Sequence, residues 1–291
     1  MKNENESVLN ISVRSLYELQ HLRIATGNRI CAAFRVKLGL APSQAEKEDK
    51  EAEKLLNQLR SEYALITDGI KRVTKNTKPS GELITTVAEM QLIESYERLV
   101  ESENVHEKII AWELDKEPLW TQWMVDIRGL GPKMSGIVLT EIDITKCDSI
   151  SALWKYCGLD VVIDPETGEG EGRSRKKHHL VEKTYVDKDG NETVTKGISF
   201  NPTLKTKMVG VLGGSFIKQG GYYREVYDGY KNRLNNHPKH AEKTAGHKHA
   251  MANRYMIKIF LQDLWLKWRE LEGLPIRAPY AEEKLGIVHS K

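Results

Sequence analysis

The stretch "IRGLGPKMSGIVLTEI", residues 127–142, sets two glycines two residues apart, a proline directly after them and then an apolar-periodic run. Gly129 and Gly131 bracket Leu130, and Pro132 opens a helix with Met134, Ile137, Val138 and Leu139 inside. Apolar, any residue, Gly, apolar, Gly, helix is the order of a helix-hairpin-helix. Glycines there permit a positive φ and let a phosphate approach with no Cβ in the way. Amides of the hairpin and of the helix start would point at that phosphate, where the helix dipole helps. Lys133 adds a charge at the rim. The expectation is a backbone clamp on DNA that holds phosphate rather than reading bases. A plain turn between two helices is the other reading of the same residues.

Upstream, the first 115 residues read as three long helices, a hairpin or coiled coil. "NISVRSLYELQHLRIATGNRICAAFRVKLGL" places Leu16, Leu19, Ile24, Ile30 and Phe34 near helical spacing. Ser43 with Glu46 forms a capping-box pattern that starts the second helix. Its apolar seam is Leu55, Leu56, Leu59, Tyr63, Leu65 and Ile66. After the break at "TKNTKPSGE", a third helix is predicted from about Glu82 to Leu114. These lengths suit antiparallel pairing, with self-association through the helices as a possible partner mode, although the heptads are irregular.

Downstream, residues 116–273 read as a second, helical domain. Ile150, Leu153, Trp154 and Cys157 face inward on a helix closed by Gly158. A β insertion of two hairpins is predicted at about 161–197, turning at Pro165 to Gly168 and at Lys188 to Asn191. Between the hairpins lies the basic tongue "GRSRKKHHL". The chain then returns to helix, and residues 274–291 read as an extended tail. The fold class is therefore mainly α, with a small β insertion.

The net charge of +3 conceals an asymmetry. From Lys196 to Phe260 there are twelve Lys/Arg against three acids, a local net charge of +9. A basic C-terminal surface for a polyanion follows. Lys205, Lys207, His249 and Arg254 join Lys133 as candidate DNA contacts, with His249 and Arg254 near the start of the last helix. Cys31, Cys147 and Cys157 form no disulfide framework and fit a reducing compartment. With no 18-residue apolar run and a polar start, the sequence reads as cytoplasmic and not membrane-bound. His237, His240, His247 and His249 lack cysteine partners and a zinc spacing, so no cofactor is expected. Tyr222, Tyr223, Tyr227, Tyr230, Trp265 and Trp268 recur at helical spacing and read as core rather than as base-stacking platforms.

The span from Ile127 to Gly158, with Leu159 after it, resembles the C-terminal domain of the bridge-RNA-guided insertion-sequence transposases. That domain opens with "GIGP", continues to "EIGDI" and an "F-x-S" step, and ends in "L-x-x-Y-x-GL". The matching residues are Gly129, Leu130, Gly131, Pro132, Glu141, Asp143, Ile144, Ser149, Leu153, Tyr156, Gly158 and Leu159. The resemblance extends over roughly the last 170 residues. It implies DNA binding, transposition and recombination, and a serine nucleophile after the "Y-x-GL" segment.

Ser174 in "GRSRK" and Ser199 in "GISF" are the candidate serines. Ser174 has Arg173, Arg175, Lys176 and Lys177 beside it to hold a scissile phosphate. An incidental serine in a basic DNA-contacting loop is the competing reading. The family's N-terminal RNase H-like domain, with its metal-binding acidic quartet, has no counterpart in the helical first 115 residues. Magnesium would enter only through a partner nuclease domain. With His178 the only local candidate base, the chain alone is not expected to cut DNA. The leading expectation is a DNA-binding, transposase-like protein. The alternatives are a serine recombinase completed by another chain and a structured-RNA-binding assembly factor.

Overall fold

The computed structural model of the chain describes residues 7–41, 50–68, 70 and 73–276. The protein is mainly helical and divides into two compact units, Met1–Glu113 and Leu114–Lys291. No described helix is long and apolar enough to cross a membrane.

The first unit contains α1 (Val8–Lys37), α2 (Lys50–Ile66) and most of α3 (Val87–Leu114). The Ser43–Glu46 capping box lies outside the described residues. The core joins Ile30 and Phe34 of α1, Leu55 and Leu59 of α2, and Met90, Ile93 and Tyr96 of α3. Val73 and Ile84, from the α2–α3 connection, complete it. Three helices and their connection therefore share one core, which a two-helix heptad seam would not require. The Glu62 carboxylate accepts from the amides of Leu83 and Ile84, at 2.9 and 2.7 Å, and so holds Ile84 in that core. At Gly27 a Cβ would stand 3.1 Å from Tyr96 and 3.2 Å from Leu56, so this glycine lets the helices approach closely.

α3 starts at Val87 rather than near Glu82 because Thr86 and Glu89 form a reciprocal cap. Thr86 Oγ1 accepts from the Glu89 amide, and the Glu89 carboxylate accepts from the amides of Thr85 and Thr86. Leu65, read as part of the α2 seam, is instead 78% exposed.

The second unit is organised on α10 (Ala245–Leu271), which buries Met256, Ile257, Phe260, Leu261, Leu264 and Trp265. Around it lie α4 (Pro118–Gln122), α5 (Pro132–Glu141), α6 (Ile150–Tyr156), α7 (Pro202–Lys205), α8 (Gly213–Gln219) and α9 (Tyr222–Asn236). A π-helical stretch, Thr206–Leu212, joins α7 to α8. Phe216, Tyr223 and Phe260 form an aromatic cluster with ring centroids 4.7–5.5 Å apart. Trp265 Nε1 donates to the Cys147 carbonyl at 2.7 Å, and buried Arg269 donates to the same carbonyl at 3.0 Å. Of the aromatic residues read as core, Tyr223, Tyr227, Trp265 and Trp268 are buried. Tyr222 is exposed, and Tyr230 stacks on Tyr255.

Two antiparallel hairpins occupy the expected insertion. β1 (Val161–Ile163) pairs with β2 (Gly170–Gly172), and β3 (Val181–Val186) pairs with β4 (Glu192–Gly197). Both turns fall at the predicted positions, with Gly168 and Gly190 at positive φ. Of the tail read as extended, only Leu274, Pro275 and Ile276 are described. All three cysteines are free and buried.

One buried ion pair tests the first unit. Arg23 on α1 pairs with Glu103 on α3, whose side chain is 8% exposed, and also donates to Tyr96 Oη. Replacing Arg23 by Ala strands that carboxylate and should lower stability in chemical denaturation by about 3 kcal/mol. Adding Glu103→Leu should recover most of the loss.

Candidate nucleic-acid interface

The glycine turn sits between a short 3₁₀ helix, Met124–Asp126, and α5. Gly129 has φ +92°. Its absent Cβ would stand 3.1 Å from Phe216 and 3.3 Å from the Ser215 carbonyl oxygen. The turn is thus seated on α8, and Ser215 Oγ donates to the Gly129 carbonyl at 2.7 Å. Leu130 is buried beneath it, while Pro132 and Lys133 are exposed.

Gly131 departs from expectation. It is the N-cap of α5 at φ −94°, ψ 172°, an extended conformation open to any residue. The positive φ belongs to Gly129 alone of the pair. A Cβ on Gly131 would meet nothing within 4 Å, and a glycine N-cap has no side chain of its own to cap the helix start. What a side chain there would fill is the open space in front of the first-turn amides.

The basic tongue between β2 and β3 is tied down rather than free along its length. Arg173 Nε donates to both oxygens of Asp160 at 3.0 Å, and Nη2 donates to Oδ2 at 2.7 Å. Its Nη1 donates to the His179 carbonyl at 3.0 Å. Arg173 is therefore a clamp inside the protein, with its guanidinium already engaged by Asp160. Lys176 and His178 both pair with Glu171. The Lys176 ammonium is the main cause that holds the Glu171 carboxyl down at about 2. Arg175 and Lys177 are exposed.

Behind the tongue, cations gather on a half-buried floor. Lys205 Nζ donates to the Arg173 carbonyl at 2.5 Å. Burial, and then the charge of Arg254, pushes its ammonium down to about 8. Arg254, on α10, lies under β2: a Cβ on Gly172 would stand 2.6 Å from its guanidinium carbon. Lys258, one turn on, sits 4.0 Å from the centroid of Trp154. Burial lowers the pKa of Arg254, Lys258 and Lys207 alike. Asp160 is the acid that acts on both Arg254 and Lys258. Several positive charges held partly out of water around one carboxylate favour an incoming anion.

His249 Nδ1 meets the Tyr227 hydroxyl at 2.6 Å. His237 and His240 approach each other, with ring centroids 5.4 Å apart.

Ser174 finds a partner that the sequence reading missed. Its Oγ lies 2.9 Å from Nδ1 of His179, and its backbone N–H donates to the same nitrogen at 2.8 Å. The histidine beside the serine is therefore His179, 1% exposed, and not His178, whose Nε2 lies 2.6 Å from Glu171. His179 Nε2 stands 2.9 Å from Glu171 Oε1, at ion-pair distance but without hydrogen-bond alignment. Ser199 Oγ, by contrast, is buried with no hydrogen-bond partner among the described residues.

Glu171, His178 and His179 bring three possible metal-ligand atoms within 4.8 Å of one another. The amide donating to His179 Nδ1 assigns the ring hydrogen to Nε2, the nitrogen that faces Glu171. In that tautomer the His179 Nε2 presents a hydrogen rather than a lone pair to Glu171.

The glycine turn leads into α5, which is about 15 Å long by its ten residues. Gly131 caps its start. At its end the Glu141 carboxylate accepts from Asn201, which caps α7 and so positions Lys205.

No family model, curated protein or solved structure matches the chain.

The two glycines should respond differently to substitution. Gly129→Ala meets a positive φ and Phe216, and should cost about 1–3 kcal/mol in urea unfolding. Gly131→Val should stay within about 0.5 kcal/mol, because its conformation and surroundings accept a side chain.

Proposed function

We propose that the second unit is a helix-hairpin-helix DNA-binding module that grips the phosphate backbone at the two ends of α5. The observation that carries this reading is the sterically open glycine at the start of α5, behind a glycine turn seated on Phe216. Amides at a helix start and a nearby dipole suit a phosphate oxygen. Lys205, Arg254 and exposed Arg175 supply the second grip. Neither grip presents groups ordered for base edges, so binding is sequence-tolerant. The resemblance of Ile127–Leu159 to the insertion-sequence transposases supports DNA as the polyanion. Structured RNA is the competing ligand, and self-association through the first unit remains open to sizing experiments.

A second reading, a serine recombinase completed by another chain, gains one specific support. Ser174 Oγ lies 2.9 Å from a histidine nitrogen that can accept its proton.

Gly131→Val should lower affinity for a short duplex at least tenfold while circular dichroism stays unchanged. Undiminished binding by the folded variant would reject the clamp. In the same assay, a structured RNA that displaces duplex at lower concentration than branched or linear DNA would favour the RNA reading.

Neutralising Arg175 and Lys177 should lower the slope of log affinity against log salt by up to about 0.9 for each lost phosphate contact. An unmoved slope would assign both residues to another contact.

Lys205 adds a pH dependence with a defined sign. A lysine depressed to about 8 carries its charge below that pH and loses it above. Affinity should therefore be highest near neutrality and fall as pH rises through 8 to 9, whereas Lys205→Arg should flatten the profile. Binding titrations at constant ionic strength read this directly.

A further inference from the structure

We infer that His179 is the general base for Ser174 and that Glu171 is its positioning carboxylate. The three together activate a serine for attack on anionic phosphate esters. This rests on the second reading above, in which Ser174 is the nucleophile, and supplies the chemistry that reading lacked.

The argument starts from the tautomer. His179 has one ring nitrogen facing Ser174 and the other facing Glu171. Because the Ser174 amide donates to Nδ1, that nitrogen holds the lone pair and Nε2 holds the hydrogen. Nδ1 is thus already in the form that can accept the hydroxyl proton, at a distance suited to the transfer. The Glu171 carboxylate at 2.9 Å from Nε2 favours the imidazolium that results, through charge alone even without hydrogen-bond alignment. Nε2 is buried and lacks a hydrogen-bond partner among the described residues, which points to a group kept for something other than packing.

Ser174 is half-buried, so the pair is not sealed from a substrate. The Lys176 amide reaches its Oγ at 3.3 Å and would help to stabilise a developing alkoxide. The ring is held in place by burial, and the Arg173–Asp160 clamp grips the His179 carbonyl. Base and serine are thus held in place, as attack requires.

The surroundings select the substrate class. Ser174 is followed by exposed Arg175, Lys176 and Lys177, and the carbonyl of the preceding Arg173 accepts from Lys205 Nζ, so cations rather than an apolar acyl pocket adjoin the serine. A phosphodiester fits that field. In the first step Ser174 Oγ bonds to phosphorus, its proton passes to His179 Nδ1, and the bond from phosphorus to the leaving oxygen breaks. The imidazolium then returns the proton to that oxygen, leaving a phosphoserine ester and a neutral His179.

The test uses the full chain and a fluorophosphonate probe, which labels activated serines with loss of fluoride, read by intact mass and peptide mapping. Labelling should fall on Ser174 and vanish in Ser174→Ala. His179→Ala should slow it about a hundredfold or more. Added imidazole should restore part of that rate, which a merely structural histidine would not allow. Glu171→Gln should lower the maximal labelling rate at unchanged probe affinity, and Glu171→Asp should recover part of it. No labelling of the folded wild-type protein, or labelling indifferent to His179→Ala, overturns the proposal.

A parallel incubation uses duplex DNA carrying a bridging phosphorothiolate, whose good leaving group traps a serine adduct. Fluorophosphonate labelling without such an adduct rejects the recombinase reading while upholding His179 as the base. Loss of DNA binding in Ser174→Ala would instead mark the serine as a contact, against both readings of it as a nucleophile.

Discussion

The Arg173–Asp160 pair is the interaction on which the arrangement of the second unit's candidate site depends. Two charges 13 residues apart in sequence meet through a guanidinium fork, with side chains 12% and 20% exposed. At that burial an ion pair is costly to break from one side only. Its remaining donor holds the His179 carbonyl, and the Arg173 carbonyl in turn accepts from Lys205. One pair thus ties the start of β1, the tongue and α7 together. The serine, its histidine and the cation floor occupy fixed places because of it.

The clamp also separates two kinds of positive charge. Arg173, Lys176 and the two tongue histidines are engaged by Asp160 and Glu171, although Lys176 and His178 stay exposed. Arg175 and Lys177 are left facing outward, with Lys205 and Arg254 on the floor. An arginine already paired bidentately has little to offer a phosphate, whereas a desolvated lysine gains by meeting one. The affinity of this surface for a polyanion should therefore depend on fewer residues than its composition implies.

Much of this was legible in the sequence, and the boundary has a physical cause. Local devices were readable: a positive φ at one glycine of the pair, the two β turns, the end of α6 at Gly158, and the inward Leu16, Ile30, Phe34, Trp265 and Trp268, although Ile24, read with the α1 face, is 49% exposed. Each is encoded within a few residues. The first unit's core was less so, because Val73 and Ile84 enter it from a connection held by Glu62, about twenty residues away from Ile84. The candidate site was half legible. Charge and glycine pattern located the tongue and Ser174, but a lysine or arginine reads the same whether it is free or paired. Glu171 lay inside the turn-like run "GEGEG", and His178 and His179 are neighbours whose directions only the short helical turn at Lys177–His179 separates. The pairing of Arg173 with Asp160, which decides all of these, is set by tertiary approach.

The central claim is that two separate parts of the second unit hold the phosphate backbone, and phosphate-ethylation interference on a bound duplex tests it most directly. The two grips flank a helix about 15 Å long, so ethylation should weaken binding at two clusters of phosphates. At 3.4 Å of rise per step along a strand, those clusters should lie about four base pairs apart. Methylation of base edges in the major groove should leave binding unchanged. A single cluster would contradict the two-ended grip, and interference from base methylation with none from phosphates would contradict backbone recognition altogether.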